Sequence, residues 1–159
     1  MVSGDWLALF DWLGISQCGR LLTRLRQDDT DAALAELRAR GWLTNGRLQG
    51  AYLRGVDLHF EDLHDADLRG ADLSFANLWD TNLQNARLGR ARLWRADLEQ
   101  ADLRGADLRE ADLEKAILWG AILPDGDRWH TGYDMTRFTD AASDYYGEPP
   151  AYASRLHHR

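Results

Sequence analysis

Leucine recurs at every fifth position from Leu43 to Leu123 without a gap, 17 leucines in all. The position two before each leucine is nearly always small, as at Ala66, Ala71, Ala76, Ala86, Ala91 and Ala96. The position between them is mostly Asp, Asn or Arg. A period of five suits neither regular element. On a helix at about 100° per residue, successive leucines would turn by about 140° and smear around the axis. On a flat strand they would point alternately to opposite sides. They reach one core only if the chain itself turns between repeats. The small residue and the leucine then face inward and the polar residue between them faces outward, a strand-like alternation over three residues. The other two residues make a corner. Four corners of about 90° close a square coil of ~20 residues. Residues 41–125 then make just over four coils, a column about 20 Å tall at the ~4.8 Å spacing of paired strands.

Three repeats carry a recognisable motif outright: Ala66-Asp67-Leu68-Arg69-Gly70, Ala71-Asp72-Leu73-Ser74-Phe75 and Ala101-Asp102-Leu103-Arg104-Gly105. They resemble the A(D/N)LXX motif of the pentapeptide repeat family. The resemblance implies an all-β solenoid, a right-handed quadrilateral β-helix. It says little about function, because one fold hosts many roles. Two departures stand out. Gly41 and Gly46 replace alanine in the first repeats, so an irregular first coil is expected. Glu61 occupies an inward position, where a lone carboxylate is costly. Either the coil bulges there or an arginine reaches Glu61; local distortion is favoured over a functional role for the residue. Thr81, also inward, is expected to bond a neighbouring backbone group through its hydroxyl.

A stack of coils has two open ends, and solenoids need caps. Residues 1–40 are expected to form a small helical N-terminal cap. Asp29-Thr30-Asp31 supplies N-cap candidates, strong helix formers run to Arg40, and Gly41 is placed to stop the helix. Further helical pieces are expected at about Asp5 to Leu13 and Cys18 to Arg26. At the other end Pro124 cannot donate to another rung and Asp125-Gly126 is a turn pair. This ending resembles the closing of repeats in bacterial members of the family. Residues 126–159 are read as a closing segment, partly folded back on the last coil. Pro149-Pro150 and the His157-His158-Arg159 end are read as a mobile tail.

Residues 20 apart should lie above one another, which turns the sequence into a surface map. On two adjoining faces Phe60, Phe75, Trp79, Trp94 and Trp119 point outward, where a soluble column has no structural need for them. Such an apolar patch marks an interface with another protein or with the chain's own flanks. A collar of arginines, Arg87, Arg90, Arg92 and Arg95, sits between aspartate-rich coils. Surface Arg–Asp ladders between coils are the expectation; an anion or acidic-partner site is the alternative.

Charge and composition narrow the function. The net charge is -7, which argues against direct nucleic-acid binding or adhesion to anionic membranes. The single cysteine, Cys18, fits the cytoplasm. The most apolar stretch, Trp6 to Ile15, is far short of a membrane span. There is no phosphate loop, no CxxC pair and no HExxH. His59 and His64 fall on adjacent faces, a poor geometry for one metal. No catalytic, cofactor or metal site is expected, so an enzyme is not. The leading expectation is a non-enzymatic protein–protein interaction module with a rigid aromatic and charged surface. Its partner is not named by the sequence. The alternatives are a DNA-mimicking modulator of a type II topoisomerase such as gyrase, which rests on the family resemblance, and a self-assembling column.

Overall fold

A computed structural model describes Arg24 and residues 30–44 and 46–140. From residue 52 to residue 122 the chain winds in one register. Every parallel bridge joins residues 20 apart, from Tyr52↔Asp72 to Asp102↔Ile122. A leucine every five residues therefore divides each coil into four faces. Face A carries Leu48, Leu68, Leu88 and Leu108. Face B carries Leu53, Leu73, Leu93 and Leu113, face C begins at Leu58 and face D at Leu63. The leucines from Leu48 to Leu108 are at most 2% exposed. The alanines beside them from Ala66 to Ala106 are as deeply buried. Among the described residues each face holds one bridging residue between turns and no longer strand. The alternation expected over three residues is present. The corners leave too little straight chain for a ladder to lengthen.

The motif follows from where the five N–H groups of a repeat go, since buried backbone donors need partners. Leu68 donates to Arg87 O of the next coil at 2.8 Å, and Gly70 to Gly89 O at 2.9 Å. Asp72 donates back to Ala51 O at 2.9 Å. Ala71 closes its corner on Leu68 O at 3.0 Å. The fifth donor, the residue after the leucine, has no carbonyl in reach. The Asp or Asn before the leucine takes it through its side chain: Ser74 N donates to Asp72 Oδ1 at 3.0 Å, Gln84 N to Asn82 Oδ1 at 3.1 Å, Glu99 N to Asp97 Oδ1 at 3.0 Å. Asp and Asn recur there because a short side-chain oxygen two residues back makes this turn.

Each corner also needs a left-handed residue, the second after the leucine. Glycine fills it at Gly70 (φ 67) and Gly105 (φ 70); elsewhere an L-residue does, including Phe60 (φ 60) and Phe75 (φ 61). A bulky side chain costs ~1–2 kcal/mol there.

Helix α1, Thr30–Ala39, precedes the coils. Ala33, Leu34 and Leu37 are buried in the same apolar cluster as the leucine column. Gly41, left-handed at φ 63, ends the helix as expected. The expected helices at Asp5 to Leu13 and about Cys18 to Arg26 lie outside the described residues, apart from helical Arg24. Residues 141–159 of the tail lie outside them too.

Glu61 does not distort its coil. The regular bridge Asp62↔Asn82 follows it, and Asn82 N donates to Glu61 O at 3.0 Å. Arg38 of α1 instead places Nη2 2.6 Å from both carboxylate oxygens. Of the two readings the sequence leaves open, the arginine is the one that forms. Thr81 Oγ1 donates to Leu58 O at 2.9 Å.

At the far end the chain reverses at left-handed Gly126, and Ile122 pairs antiparallel with Arg128. Leu123 N donates to Asp127 O at 2.7 Å and Trp129 N to Ala121 O at 2.9 Å, which covers face D. Helix α2, Thr136–Thr139, covers face A: Glu110 N donates to Thr139 O at 2.7 Å. Phe138, fully buried, takes the place of a further leucine there. The N–H groups of Leu113, Lys115, Leu118 and Gly120 have no backbone acceptor among the described residues, so the end of faces B and C is an open edge.

Candidate interaction surface

The aromatic residues on the outside meet in pairs. A corner residue of one coil lies against the residue after the leucine in the next coil, 19 positions on. Phe60 meets Trp79 edge-on with centroids 4.6 Å apart, and Phe75 meets Trp94 at 4.8 Å. The backbones bond at the same points, Phe60 N to Trp79 O at 3.0 Å and Phe75 N to Trp94 O at 2.9 Å. Phe60 is 59% exposed, Phe75 40% and Trp79 37%; Trp94 is half-buried. The second pair is sandwiched by cations. Arg54 lies 4.5 Å from the Phe75 centroid, and Arg95 lies 4.8 Å and Lys115 5.6 Å from the Trp94 ring. Trp119, 60% exposed, stands on face C two coils from Trp79, with Glu99 between, and makes no ring contact among the described residues. Exposed Ile117 lies beside it in sequence. Tyr52 and the Arg54 cation were not singled out from sequence. The signal for Arg54 was there, since it precedes Phe75 by 21 positions.

The arginine collar divides. Arg90 forms a two-point pair with Glu110 of the next coil, Nε to Oε2 at 3.0 Å and Nη2 to Oε1 at 3.1 Å. Arg95 lies on Trp94. Arg87 bridges Asp67 and Asp107 through its backbone, and Arg92 bridges Asp72 and Asp112. Neither guanidinium has a carboxylate within 4 Å among the described residues. The expected Arg–Asp ladders between coils act only through space, Arg87 on Asp67 and Arg92 on Asp72, without direct contact among the described residues. The Asp–Arg pairs run within one turn: Arg69–Asp67, Arg104–Asp102 and Arg109–Asp107, each with Nη2 to Oδ2 at 2.6 Å. The physical reason is the corner, which sets these side chains two residues apart on one outward side. Hydrogen bonds from Arg69 and Arg104 hold Asp67 and Asp102 below the ordinary carboxylate value. At Asp107 burial pushes the other way, and the bonds from Arg109 prevail.

A groove of about 480 Å³ runs along face A, lined by Gln49, Gly70 and Gly89, by Arg69, Arg90 and Arg109, and by the acids Asp107 and Glu110. It opens where Gly89 leaves no side chain between Arg69 below and Arg109 above. The faces differ in charge. Face A carries five arginines against three acids, while face C has four acids and no Lys or Arg.

The histidines sit on separate carboxylates. His59 Nδ1 is 2.6 Å from Asp57 Oδ1, and His64 Nδ1 is 2.8 Å from Asp62 Oδ1. The Asp62 hydrogen bond raises the His64 pKa, and His64 in turn lowers that of Asp62. Among the described residues no cluster of three potential metal ligands occurs, and no helix is long and apolar enough to cross a membrane.

The family model described as Pentapeptide repeats (8 copies) matches residues 47–84 and 81–120. The solved structure of alr5209, a pentapeptide repeat protein from Nostoc Pcc 7120, is 36% identical over 67% of this chain and 89% of that one, with a TM-score of 0.56. The chain belongs to the pentapeptide repeat family. The membership makes the fold a right-handed β-helix. A pentapeptide repeat protein of the Arabidopsis thaliana thylakoid lumen is 37% identical over 48% of this chain, with a TM-score of 0.47, and this chain spans 52% of its length. Rfr23, a pentapeptide repeat protein of the cyanobacterium Cyanothece 51142, is 34% identical over 46% of this chain and 57% of its own, with a TM-score of 0.28. No curated protein matches the chain. The family is consistent with a non-enzymatic repeat protein.

Proposed function

We propose that this pentapeptide repeat protein is a non-enzymatic protein–protein interaction module that binds a partner through its outward aromatic and charged side chains. One observation carries the reading. Phe60 and Phe75 occupy left-handed corners where glycine fits without strain, and both remain exposed. Local stability does not call for a phenylalanine there. Backbone bonds to neighbouring coils fix each Phe–Trp pair, so binding would order little that is not already ordered. Aromatic side chains held this way suit an interface hot spot. Trp119 and Ile117 form a separate exposed point on face C. In this reading about four coils lie between a helical cap within residues 1–40 and a closing segment within 126–159, and the setting is cytoplasmic. The test is a pull-down with wild type and the Trp79→Ala/Trp94→Ala variant. Loss of specific partners in the variant supports the reading, and identical partner lists contradict it.

The acidic face C favours a second reading, mimicry of duplex DNA toward a type II topoisomerase. A gyrase supercoiling assay with no effect at micromolar protein would remove it. The open edge of residues 111–120 favours a third, self-association, which light scattering at several concentrations would detect.

A further inference from the structure

Within the column the residue before each leucine caps its own turn, and Arg87 and Arg92 are the two interior positions where arginine stands instead of Asp or Asn. An arginine has no acceptor for the N–H two residues on. Both positions therefore give up a local hydrogen bond, on adjoining faces of one coil. Their charges act across the coils on Asp67 and Asp72, yet neither makes a direct pair with them. Asp67 and Asp107 are held by Arg69 and Arg109 of their own turns. Asp72 and Asp112 accept the N–H of Ser74 and Glu114. Arg87 and Arg92 remain exposed, with no carboxylate within 4 Å among the described residues. The lost turn bond is offset only by attraction through space, and departures from a local rule are where function is expected.

We propose that Arg87 and Arg92 form a docking site for a short acidic polypeptide segment, with the glycine-floored groove of face A beside them. Two exposed guanidinium forks at one level, with no direct carboxylate contact among the described residues, suit two discrete carboxylates, each bound by paired N–H donors. The bare floor at Gly89 gives the segment room to approach the backbone beside Arg69 and Arg109. Continuous nucleic acid fits less well. Its phosphates recur every few ångströms and would have to cross Asp67, Asp72, Asp107 and Asp112, which bracket the two arginines above and below. The site deepens the reading of the column as an interaction surface by naming a partner chemistry, and it uses neither Phe–Trp pair.

The test uses the full chain and a fluorescein-labelled hexaglutamate peptide, followed by fluorescence anisotropy. The variant is Arg87→Asn/Arg92→Asn, which restores the residue type the turn prefers and so keeps the fold. The expected result is saturable binding at low salt, weakened roughly tenfold by the double variant and by raising NaCl to about 300 mM. The variant's melting temperature should be unchanged or higher. Trp79→Ala/Trp94→Ala should retain peptide binding, so failure of this site and failure of the aromatic reading are separable. No saturable binding, or equal binding by the asparagine variant, would overturn the proposal. Tighter binding of a single-stranded DNA oligonucleotide of equal charge would overturn it in favour of nucleic acid.

Discussion

Phe75 sets two local effects against each other. Its left-handed backbone costs ~1–2 kcal/mol relative to glycine, while its edge-on contact with Trp94 returns ~0.5–1.5 kcal/mol. Phe75→Gly should therefore leave the melting temperature nearly unchanged while removing an exposed ring. A large fall on calorimetry would mean that the ring serves the fold. His64 gives a second residue-scale prediction. Its pKa is raised by the Asp62 carboxylate, so it should titrate above the ordinary 6.5 in an NMR titration. A raised folded value means that the pair stabilises the fold fully below the unfolded value and loses this as pH rises through the folded one. Asp62→Asn should return His64 toward its ordinary value; an unmoved titration would exclude the pairing. What sequence left unread at this scale was the task of the residue before the leucine. Its outward direction follows from the period of five. Its bond to the N–H two residues on appears only when every donor of the corner is followed.

Among the elements, the coil core behaves as one packed unit. Leu83 is fully buried, so Leu83→Ala should cost ~2–5 kcal/mol through the cavity it leaves. An unchanged denaturant midpoint would place Leu83 outside the core. The join between α1 and the coils turns on Glu61, whose side chain is 9% exposed against 57% for Arg38. Removing Arg38 strands a nearly buried carboxylate. Because Arg38 is half in water, Arg38→Ala should cost about 1–2 kcal/mol, less than breaking a fully buried pair. Arg38→Ala/Glu61→Ala should recover most of that loss, since alanine is what other coils place there. A double variant as unstable as the single would show that the pair does not hold the join. The sequence narrowed Glu61 to a bulge or an arginine. It could not choose, because the arginine lies 23 residues earlier on a helix whose docking no five-residue period encodes.

The whole molecule is a column whose walls differ. Face A is rich in arginine, face C is acidic, and the Phe–Trp pairs join successive coils on faces B and C. The surface map was legible because a 20-residue register is four repeats of five. Within that register the corners skew the side chains: rings meet at 19 residues, so Phe60 pairs with Trp79 and Phe75 with Trp94, and Trp119 stands apart. The map also expected Arg–Asp pairs between coils at the collar, where Arg90 instead pairs with Glu110 of the next coil and Arg95 lies on Trp94. Each of these claims about the surface depends on the coil register. The most direct measurement is therefore NMR scalar coupling across backbone hydrogen bonds in the full chain. The account predicts couplings from the amides of Leu68, Leu83 and Leu88 to the carbonyls of Arg87, Asp102 and Asp107, each 19 residues on. Couplings from these amides to carbonyls four residues back, as in a helix, would contradict it.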